Sequence, residues 1–328
     1  MSENTPVLEI KDLSVAYQTP TGSVEAVRGV NLTLYPEEII GLVGESGSGK
    51  STMAFAVMRL LKGEAMVTGG SIRVLGKDVY SLNKKELRQF RWDQMAMVFQ
   101  SAMSALNPVM TVEKQIFDTI LSHRPQMSRQ EVRTRAEELM DMVRIDRKHL
   151  KSFPHELSGG MRQRIVIAIA IALHPKMVIM DEPTTALDVV VQRSILDQIK
   201  EIQKKEKFSI LFISHDFSLV AEMATRVAIM YAGRIVEMTD SQTLKLGERH
   251  HPYTDGLLRA IPQLTSEDVV IEGIAGNPPD LKSLPPGCAF HPRCAVAMDR
   301  CKSEVPIPQP QSIGYIECHL YSEEGSHV

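Results

Sequence analysis

The sequence predicts an α/β fold in which a mostly parallel sheet is joined to a small C-terminal extension. Two apolar runs, residues 177–180 and 210–213, have the continuous hydrophobic character of strands buried on both faces of a parallel sheet. A third run, Ile39–Val43, leads into a glycine-rich loop and a helix predicted over residues 50–62. After about residue 260, prolines become dense and all four cysteines of the chain appear. This shift indicates a separate, loop-rich extension.

The order of the elements predicts two domains. Residues 1–260 are expected to form the α/β domain, in which residues 101–174 make a mostly helical subdomain, and residues 261–328 form the extension. Ser128 and Glu131 have the spacing of a capping box at a helix N-terminus. The apolar residues that follow at helical spacing are predicted to be core, namely Val132, Ala136, Leu139, Met140 and Val143.

The composition excludes some classes of protein. The formal net charge of the 328 residues is −3, whereas a nucleic-acid-binding protein would usually be basic. The N-terminus lacks the pattern of a signal peptide. The longest obvious apolar run, residues 165–173, is shorter than the ~20 residues that span a bilayer. We therefore expect a cytosolic chain that contacts a membrane only through a partner.

The glycine-rich loop, residues 44–51 (GESGSGKS), is the pattern of a phosphate-binding loop. Glycines let backbone N–H groups approach phosphates, and the following helix N-terminus adds positive potential. Lys50 is expected to reach the β- and γ-phosphates, and Ser51 to bind Mg²⁺. The nucleotide-binding residues predicted here are Gly44, Ser46, Gly47, Gly49, Lys50, Ser51 and Thr52.

Two carboxylates directly follow the apolar run that ends at residue 180. Asp181 stands where a carboxylate usually holds Mg²⁺ through water, and Glu182 is the natural general base for the attacking water. His215 and Gln100 also follow predicted strands. Each is a weak signal taken alone.

Residues 157–163 (LSGGMRQ), read with the glycine loop and the two carboxylates, resemble the ATP-binding subunits of ABC transporters. The resemblance implies a P-loop nucleotide-binding domain of the ABC type with a helical subdomain. It also implies two ATP molecules sandwiched between two subunits. By this resemblance, Ser158 and Gly160 contact the γ-phosphate bound on the partner's loop, and Gly159 is also a nucleotide-binding residue.

The same resemblance implies roles for four other residues. Gln100 senses Mg²⁺ and the γ-phosphate, His215 contacts the γ-phosphate, and Asp188 belongs to the loop (residues 186–188) that crosses the dimer interface. Tyr17 stacks on adenine, with an ordinary strand tyrosine as the alternative. Since none of the motifs is degenerate, the subunit is expected to supply a half-site competent in hydrolysis.

Further segments resemble the peptide and nickel importer branch of this family, in particular its D-type ATPases. These segments are residues 101–108 (SAMSALNP), 251–254 (HPYT), 276–281 (GNPPDL) and 286–294 (PGCAFHPRC). The resemblance implies an ATPase that powers import of oligopeptides or dipeptides across the cytoplasmic membrane. Oligosaccharide or nickel cargo remains an alternative, because the ATPase does not touch the cargo.

The implied partners are a second ATPase subunit, two membrane permeases and an extracytoplasmic substrate-binding protein. An F-type paralogue is favoured as the second subunit over another copy of this chain. The permeases are expected to dock on about residues 101–125, which places the chain peripherally on the cytoplasmic face of the membrane. Two rival classes are a soluble ABC ATPase acting on nucleic acid or ribosomes, and a regulatory module dominated by its metal-binding tail.

The four cysteines, Cys288, Cys294, Cys301 and Cys318, are separated by five, six and sixteen residues. Four thiolates suit one tetrahedral or cubane metal site. A zinc site would more typically show a C-x₂₋₄-C pair, so the spacing favours a [4Fe–4S] cluster, as found in some relatives. Zinc, free thiols and disulfides remain alternatives. His291 and His319 are alternative ligands, but they are expected to face solvent.

Overall fold

The computed structural model describes residues 5–20, 22–100, 105–185, 187–247, 249–260 and 273–322. The chain divides into two compact units. Unit 1 contains Thr33–Glu38, Arg73–Phe212 and the N-terminal residues up to Leu8. Unit 2 contains Glu9–Leu32, Ile39–Ile72 and the residues from Ile213 onward.

The described residues form twelve strands and nine α-helices, numbered here in chain order. The strands are β1 (Leu8–Thr19), β2 (Gly22–Leu34), β3 (Ile39–Val43), β4 (Ala65–Val74), β5 (Lys77–Asp78), β6 (Met95–Val98), β7 (Met177–Asp181), β8 (Ser209–Ser214), β9 (Arg226–Tyr231), β10 (Arg234–Asp240), β11 (Pro308–Pro310) and β12 (Tyr315–Glu317). The helices are α1 (Lys50–Val57), α2 (Lys84–Asp93), α3 (Val112–His123), α4 (Arg129–Met142), α5 (Gly159–Ala170), α6 (Val189–Glu206), α7 (Phe217–Met223), α8 (Ser241–Leu246) and α9 (Pro252–Arg259).

The sheet of unit 1 has the strand order β8-β7-β6. Strands β6 and β7 are parallel, with Met95 opposite Met177 and Val98 opposite Met180. Every residue of the three strands is buried. The prediction of buried strands is therefore confirmed at residues 177–180 and 210–213, and the parallel orientation is confirmed for residues 177–180.

The helices of unit 1 follow the predicted helical region closely. Helix α4 begins at a capping box, because Ser128 Oγ accepts from Glu131 N at 3.2 Å while Glu131 Oε2 accepts from Ser128 N at 2.7 Å. Helix α4 packs against α3 and α5. Its predicted core residues are all buried, namely Val132, Ala136, Leu139, Met140 and Val143. Two 3₁₀ turns, Arg147–Lys151 and Pro154–Glu156, separate α4 from α5.

In unit 2, strands β3 and β9 are parallel, and β10 pairs antiparallel with β9. Helix α7 packs on β3. It comes so close that a Cβ on Gly41 would lie 2.2 Å from Val220 Cγ1. Strands β2, β1 and β4 are neighbours in a second sheet.

Helix α1 is shorter than predicted, since it ends at Val57 rather than near residue 62. Arg59 adopts a left-handed φ of 50°, and Leu60 N donates to Phe55 O at 2.7 Å. A left-handed residue followed by a wider hydrogen bond is a typical way for a helix to end. The apolar residues after this point therefore lie outside the helix.

The C-terminal residues extend the sheet of unit 2. Strand β12 pairs antiparallel with β10, with Tyr315 opposite Met238, and β11 pairs with β12. The rest of the tail from residue 273 to 322 consists of turns and three short 3₁₀ segments. The predicted domain boundary after residue 260 adjoins residues 261–272, which lie outside the described residues, and it stays a prediction.

Among the described residues, none of the helices combines the length and the apolar character that crossing a membrane requires.

Candidate nucleotide site

The glycine loop lies in unit 2 between β3 and α1, as predicted. Gly49 is the N-cap of α1 and has φ 105°, a backbone conformation that L-residues rarely adopt. A Cβ at Gly49 would lie 2.2 Å from Ala26 O, and one at Gly44 would lie 2.1 Å from Met230 O. The loop therefore needs glycine at position 49 both for its conformation and for its close packing on neighbouring backbone, and at position 44 for its close packing.

Lys50 is the first residue of α1 and is only 6% exposed. Its Nζ donates to Gly44 O at 2.7 Å, to Glu45 O at 2.8 Å and to Ser48 Oγ at 3.2 Å. The ammonium group is thus held against the loop beside the positive end of the helix dipole. Such a concentration of positive charge suits the phosphates of a nucleotide.

Tyr17 lies on β1 and is tied to the first turn of α1. Its hydroxyl lies 3.1 Å from Thr52 Oγ1. This contact places the tyrosine beside the helix that carries Lys50 and Ser51. The predicted stacking of Tyr17 on adenine stays a prediction.

In unit 1, the ends of β6 and β7 bring two predicted residues together. Because these strands are parallel and Val98 lies opposite Met180, Gln100 and Glu182, each two positions beyond that pair, lie at the same edge of the sheet. Gln100 Nε2 donates to Glu182 Oε2 at 2.8 Å. Glu182 also accepts from Thr185 Oγ1 at 3.0 Å. The predicted base is therefore oriented by two side chains.

Asp181 and Glu182 differ in their surroundings. Asp181 is the last residue of β7 and only 2% exposed. Glu182 is half-buried and has a left-handed φ of 48°. Non-glycine residues in this conformation are strained and occur more often at functional sites. This backbone turn directs the chain away from the strand after the second carboxylate.

His215 directly follows β8 and is exposed. The next residue, Asp216, is the N-cap of α7, and its Oδ1 accepts from Ser218 N at 2.9 Å. His215 is therefore held between a buried strand and a capped helix in unit 2. The γ-phosphate contact predicted for it stays a prediction.

The LSGG segment forms the start of α5 in unit 1. Ser158 is the N-cap, and its Oγ accepts from Met161 N at 3.2 Å. Gly159 and Gly160 are the first two helical residues, and a Cβ at Gly160 would lie 2.8 Å from Val191 Cγ1. The segment therefore presents an exposed serine and two glycines at a helix N-terminus, an arrangement suited to an anion.

Asp188 is the N-cap of α6, where its Oδ1 accepts from Val191 N at 2.9 Å. The two residues after it, Val189 and Val190, are 76% and 79% exposed. Ala186 and residues 101–104, which were also singled out in the sequence, lie outside the described residues.

One contact to the glycine loop was missed by the sequence analysis. Arg293, in the C-terminal tail, donates from Nη1 to Glu45 Oε2 at 2.7 Å and from Nη2 to Glu45 Oε1 at 3.0 Å. Glu45 N donates to the hydroxyl of Tyr253 at 2.9 Å. The Glu45 carboxylate raises the pKa of Arg293. Tyr253 belongs to the segment HPYT and Arg293 to the segment PGCAFHPRC. The resemblance to the peptide and nickel importer branch pointed to both segments but implied no role for them.

The four cysteines are free thiols. Burial raises the pKa of Cys288 and Cys294, and it raises the pKa of Cys318 to about 12. Within the described part of the chain, no group of three or more His, Cys, Asp or Glu residues is placed to hold a metal ion. The geometry therefore does not support the predicted metal site at Cys288, Cys294, Cys301 and Cys318.

The expectation that both tail histidines face solvent is wrong for His319. This residue is 5% exposed, and its Nε2 lies 2.9 Å from Glu304 O. His291 is half-buried, with Nδ1 2.9 Å from Cys288 O. Both rings contact backbone carbonyl oxygens of the tail. A loop-rich segment needs such hydrogen-bond partners for its carbonyls.

The glycine loop, the paired carboxylates and the LSGG helix define an ATPase of the ATP-binding cassette class. The chain belongs to the ABC transporter family. The family model described as "ABC transporter" matches residues 27–185, and the model described as "Oligopeptide/dipeptide transporter, C-terminal region" matches residues 236–301.

Two similar curated proteins cover most of the chain. The oligopeptide transport ATP-binding protein OppD of Salmonella typhimurium is 43% identical over 92% of this chain and 90% of its own length. The oligopeptide transport ATP-binding protein AppD of Bacillus subtilis is 41% identical over 98% of both chains. Among solved structures, the dimeric ATP-binding cassette MJ0796 bound to ADP and Pi has a TM-score of 0.64, with 28% identity over 71% of this chain and 98% of its own. This similarity confirms the predicted ABC-type fold.

Proposed function

We propose that the chain is the ATP-hydrolysing subunit of an importer that moves oligopeptides or dipeptides across the cytoplasmic membrane. The observation that carries the proposal is the glycine loop, with Lys50 Nζ held at the carbonyls of Gly44 and Glu45. It occurs in a chain similar over 92% of its length to an oligopeptide transport ATP-binding protein. Residues 1–260 form the ATPase domain and residues 261–328 the extension in this proposal.

Each predicted nucleotide-binding or catalytic residue has a task in the proposed hydrolysis. The backbone of residues 44–49 and Lys50 bind the β- and γ-phosphates, while Tyr17 supports the adenine. Ser51 and Gln100 would bind Mg²⁺ directly, and Asp181 would bind it through water. Mg²⁺ neutralises charge on the phosphate oxygens.

Glu182 removes the proton from the attacking water. Its carboxylate accepts from Gln100 Nε2 and Thr185 Oγ1, and these two hydrogen bonds fix one oxygen and direct the carboxylate. A base held in this way needs little reorganisation when the water attacks the γ-phosphate. His215 stabilises the charge that develops on the γ-phosphate.

The LSGG helix acts on the nucleotide of a second subunit. Ser158, Gly159 and Gly160 lie at the N-terminus of α5, where the helix dipole favours an anion. Asp188 and the exposed start of α6 contact that subunit. ATP binding closes the dimer, and hydrolysis with release of products opens it again.

The proposed assembly contains four kinds of subunit. An F-type paralogue supplies the second ATPase half, two membrane permeases dock on about residues 101–125, and an extracytoplasmic protein delivers the cargo. The chain is then peripheral on the cytoplasmic face of the membrane.

The [4Fe–4S] cluster stays a separate proposal for the four tail cysteines. Its support is the donor set alone, because four thiolates suit one tetrahedral or cubane metal site. Iron and acid-labile sulfide should be measured after anaerobic purification. About four of each per chain, lost in Cys294→Ser, are expected for a cubane cluster. Absence of iron, or bound zinc, removes the cluster.

Transport should be tested with the whole complex. We would purify it through a tag on this chain, reconstitute it in liposomes and add the cognate binding protein. A mixture of oligopeptides is expected to stimulate ATP hydrolysis and to enter the liposomes. Lys50→Ala should abolish both effects, while Lys148→Ala, at an exposed lysine, serves as control. Stimulation by nickel or oligosaccharides alone would contradict peptide cargo.

A further inference from the structure

The start of the glycine loop is clamped by the C-terminal tail. Arg293 and Glu45 form a bidentate ion pair with two N–H···O distances of 2.7 and 3.0 Å. The side chain of Arg293 is only 6% exposed. A planar guanidinium that meets a carboxylate with both nitrogens fixes the orientation of that carboxylate as well as its charge.

The tail holds the guanidinium in place from its other side. Arg293 Nε donates to Ala275 O at 2.9 Å, and Nη1 lies 3.4 Å from the hydroxyl of Tyr231. The Arg293 backbone belongs to the 3₁₀ turn His291–Arg293, between Cys288 and Cys294. Arg293 is therefore held by the tail and by Tyr231 of β9 as well as by Glu45, so little side-chain freedom is lost on pairing.

Glu45 connects this clamp to the lysine of the loop. Its backbone N–H donates to the hydroxyl of Tyr253 at 2.9 Å, and Tyr253 is fully buried. Its backbone carbonyl accepts from Lys50 Nζ at 2.8 Å. The same residue thus pairs with Arg293 through its side chain and supports Lys50 through its backbone.

The charge of Glu45 would be unfavourable if it were unpaired. A free carboxylate inside a phosphate-binding loop would repel the triphosphate, because like charges disfavour each other at short range. Pairing with Arg293 neutralises this carboxylate and holds it in one orientation. The ion pair therefore controls both the charge and the orientation of a carboxylate inside the phosphate-binding loop.

We propose that Arg293 is a positioning residue for the glycine loop, through which the C-terminal extension sets the affinity of the loop for the phosphates of ATP. This inference rests on the proposed function, since it requires that the loop binds ATP. It gives the extension a task in the ATPase site itself, although no residue of the extension belongs to the nucleotide-binding motifs.

The test is a double-mutant cycle on the full-length chain, with the dissociation constant of Mg-ATP measured by calorimetry. Arg293→Ala should weaken binding about tenfold, as loss of a charged hydrogen bond would. In a Glu45→Gln background, the same change should alter the constant by less than about twofold. Arg293→Lys keeps the charge but lacks the planar guanidinium. Its dissociation constant for Mg-ATP should lie between those of the wild type and Arg293→Ala.

Arg234 provides a matched control. It forms a second bidentate pair in unit 2, in which its side chain donates to Glu317 at 2.9 and 3.0 Å rather than to a residue of the loop. Arg234→Ala should leave the affinity for ATP unchanged. If Arg293→Ala fails to fold, the double-mutant cycle is made with Arg293→Lys and Glu45→Gln.

The outcomes separate the two proposals. If the wild-type chain does not bind Mg-ATP, or binds it as weakly as Lys50→Ala, the proposed function fails. If the wild type binds but Arg293→Ala binds equally well, the inference is overturned. An equal loss in the presence and absence of the Glu45 carboxylate would also overturn it, because the effect would then not pass through the pair.

Discussion

Gln100 donates a 2.8 Å hydrogen bond to the carboxylate of Glu182, and the register of two parallel strands accounts for it. Each residue lies two positions beyond paired strand residues, Val98 and Met180. Two groups implied in ATP hydrolysis are thus joined directly. A displacement of Gln100 would therefore change the orientation of the Glu182 carboxylate.

Glu182→Gln is expected to lower ATP hydrolysis about 10²- to 10⁴-fold and to leave ATP affinity unchanged. Glutamine has the same shape and can still accept from Gln100 and Thr185, but it cannot remove a proton from water. Single-turnover hydrolysis and equilibrium binding should be measured together on the assembled complex. Full turnover in this variant would refute the assigned base.

Gly49→Ala is expected to destabilise the fold more than Gly47→Ala. Both residues have positive φ, 105° and 79°, but only at Gly49 would a Cβ meet backbone, at 2.2 Å from Ala26 O. Gly47→Ala should cost about 1–2 kcal/mol from its conformation alone. Urea unfolding of the two variants gives the comparison, and equal losses would show that the close approach to Ala26 has no effect.

Ser158→Ala and Ser128→Ala form a matched pair of cap substitutions. Each serine accepts from the backbone N–H three residues on, at 3.2 Å in both cases, so each change should cost about 1 kcal/mol of stability. Only Ser158→Ala should also lower ATP hydrolysis by the complex, because only α5 carries the LSGG segment. A similar fall in hydrolysis for Ser128→Ala would mean that stability alone explains the effect.

His251→Asn should reduce the loss of stability at acid pH. Burial lowers the pKa of His251 to about 3, whereas an unfolded histidine titrates near 6.5, so the unfolded state binds more protons between these values. The free energy of unfolding therefore falls as pH decreases, by about 2 kcal/mol at pH 5 for this group. Asparagine can still cap α9.

The measurement is urea unfolding at pH 7.5 and pH 5 for the wild type, His251→Asn and His155→Asn, the last at an exposed histidine. The difference between the two pH values should shrink only in His251→Asn. An unchanged difference would show that His251 is not the buried neutral group described here.

Local patterns were enough to predict the parts of the fold that depend on local sequence. Runs 177–180 and 210–213 are buried strands because a two-sided sheet position needs apolar residues throughout. The Ser128 capping box and the glycine loop were also predicted, since both depend on residues a few positions apart. The LSGG segment could be interpreted only through resemblance.

The contacts that could not be predicted join residues far apart in the sequence. Glu45 and Arg293 are charged residues of the kind usually found on a surface, and only the fold shows that each is the other's partner. His250 and Glu237 are similar: both are almost fully buried, with His250 Nδ1 2.7 Å from Glu237 Oε1. No periodicity marks such a pair, because its members satisfy each other only after the chain has folded.

The pairing of β12 with β10 has a consequence for how the protein behaves in concentrated solution. Strand β10 is buried along most of its length and carries three apolar residues, Ile235, Val236 and Met238, and an uncovered strand edge can recruit other chains into aggregates. The tail covers that edge with β12, and the outermost strand of the sheet is then β11, whose Pro308 and Pro310 have no N–H to offer a further strand. A chain truncated before residue 308 would therefore lose the two strands that cover the edge of β10. More of it would aggregate, even though every ATP-binding motif would be intact.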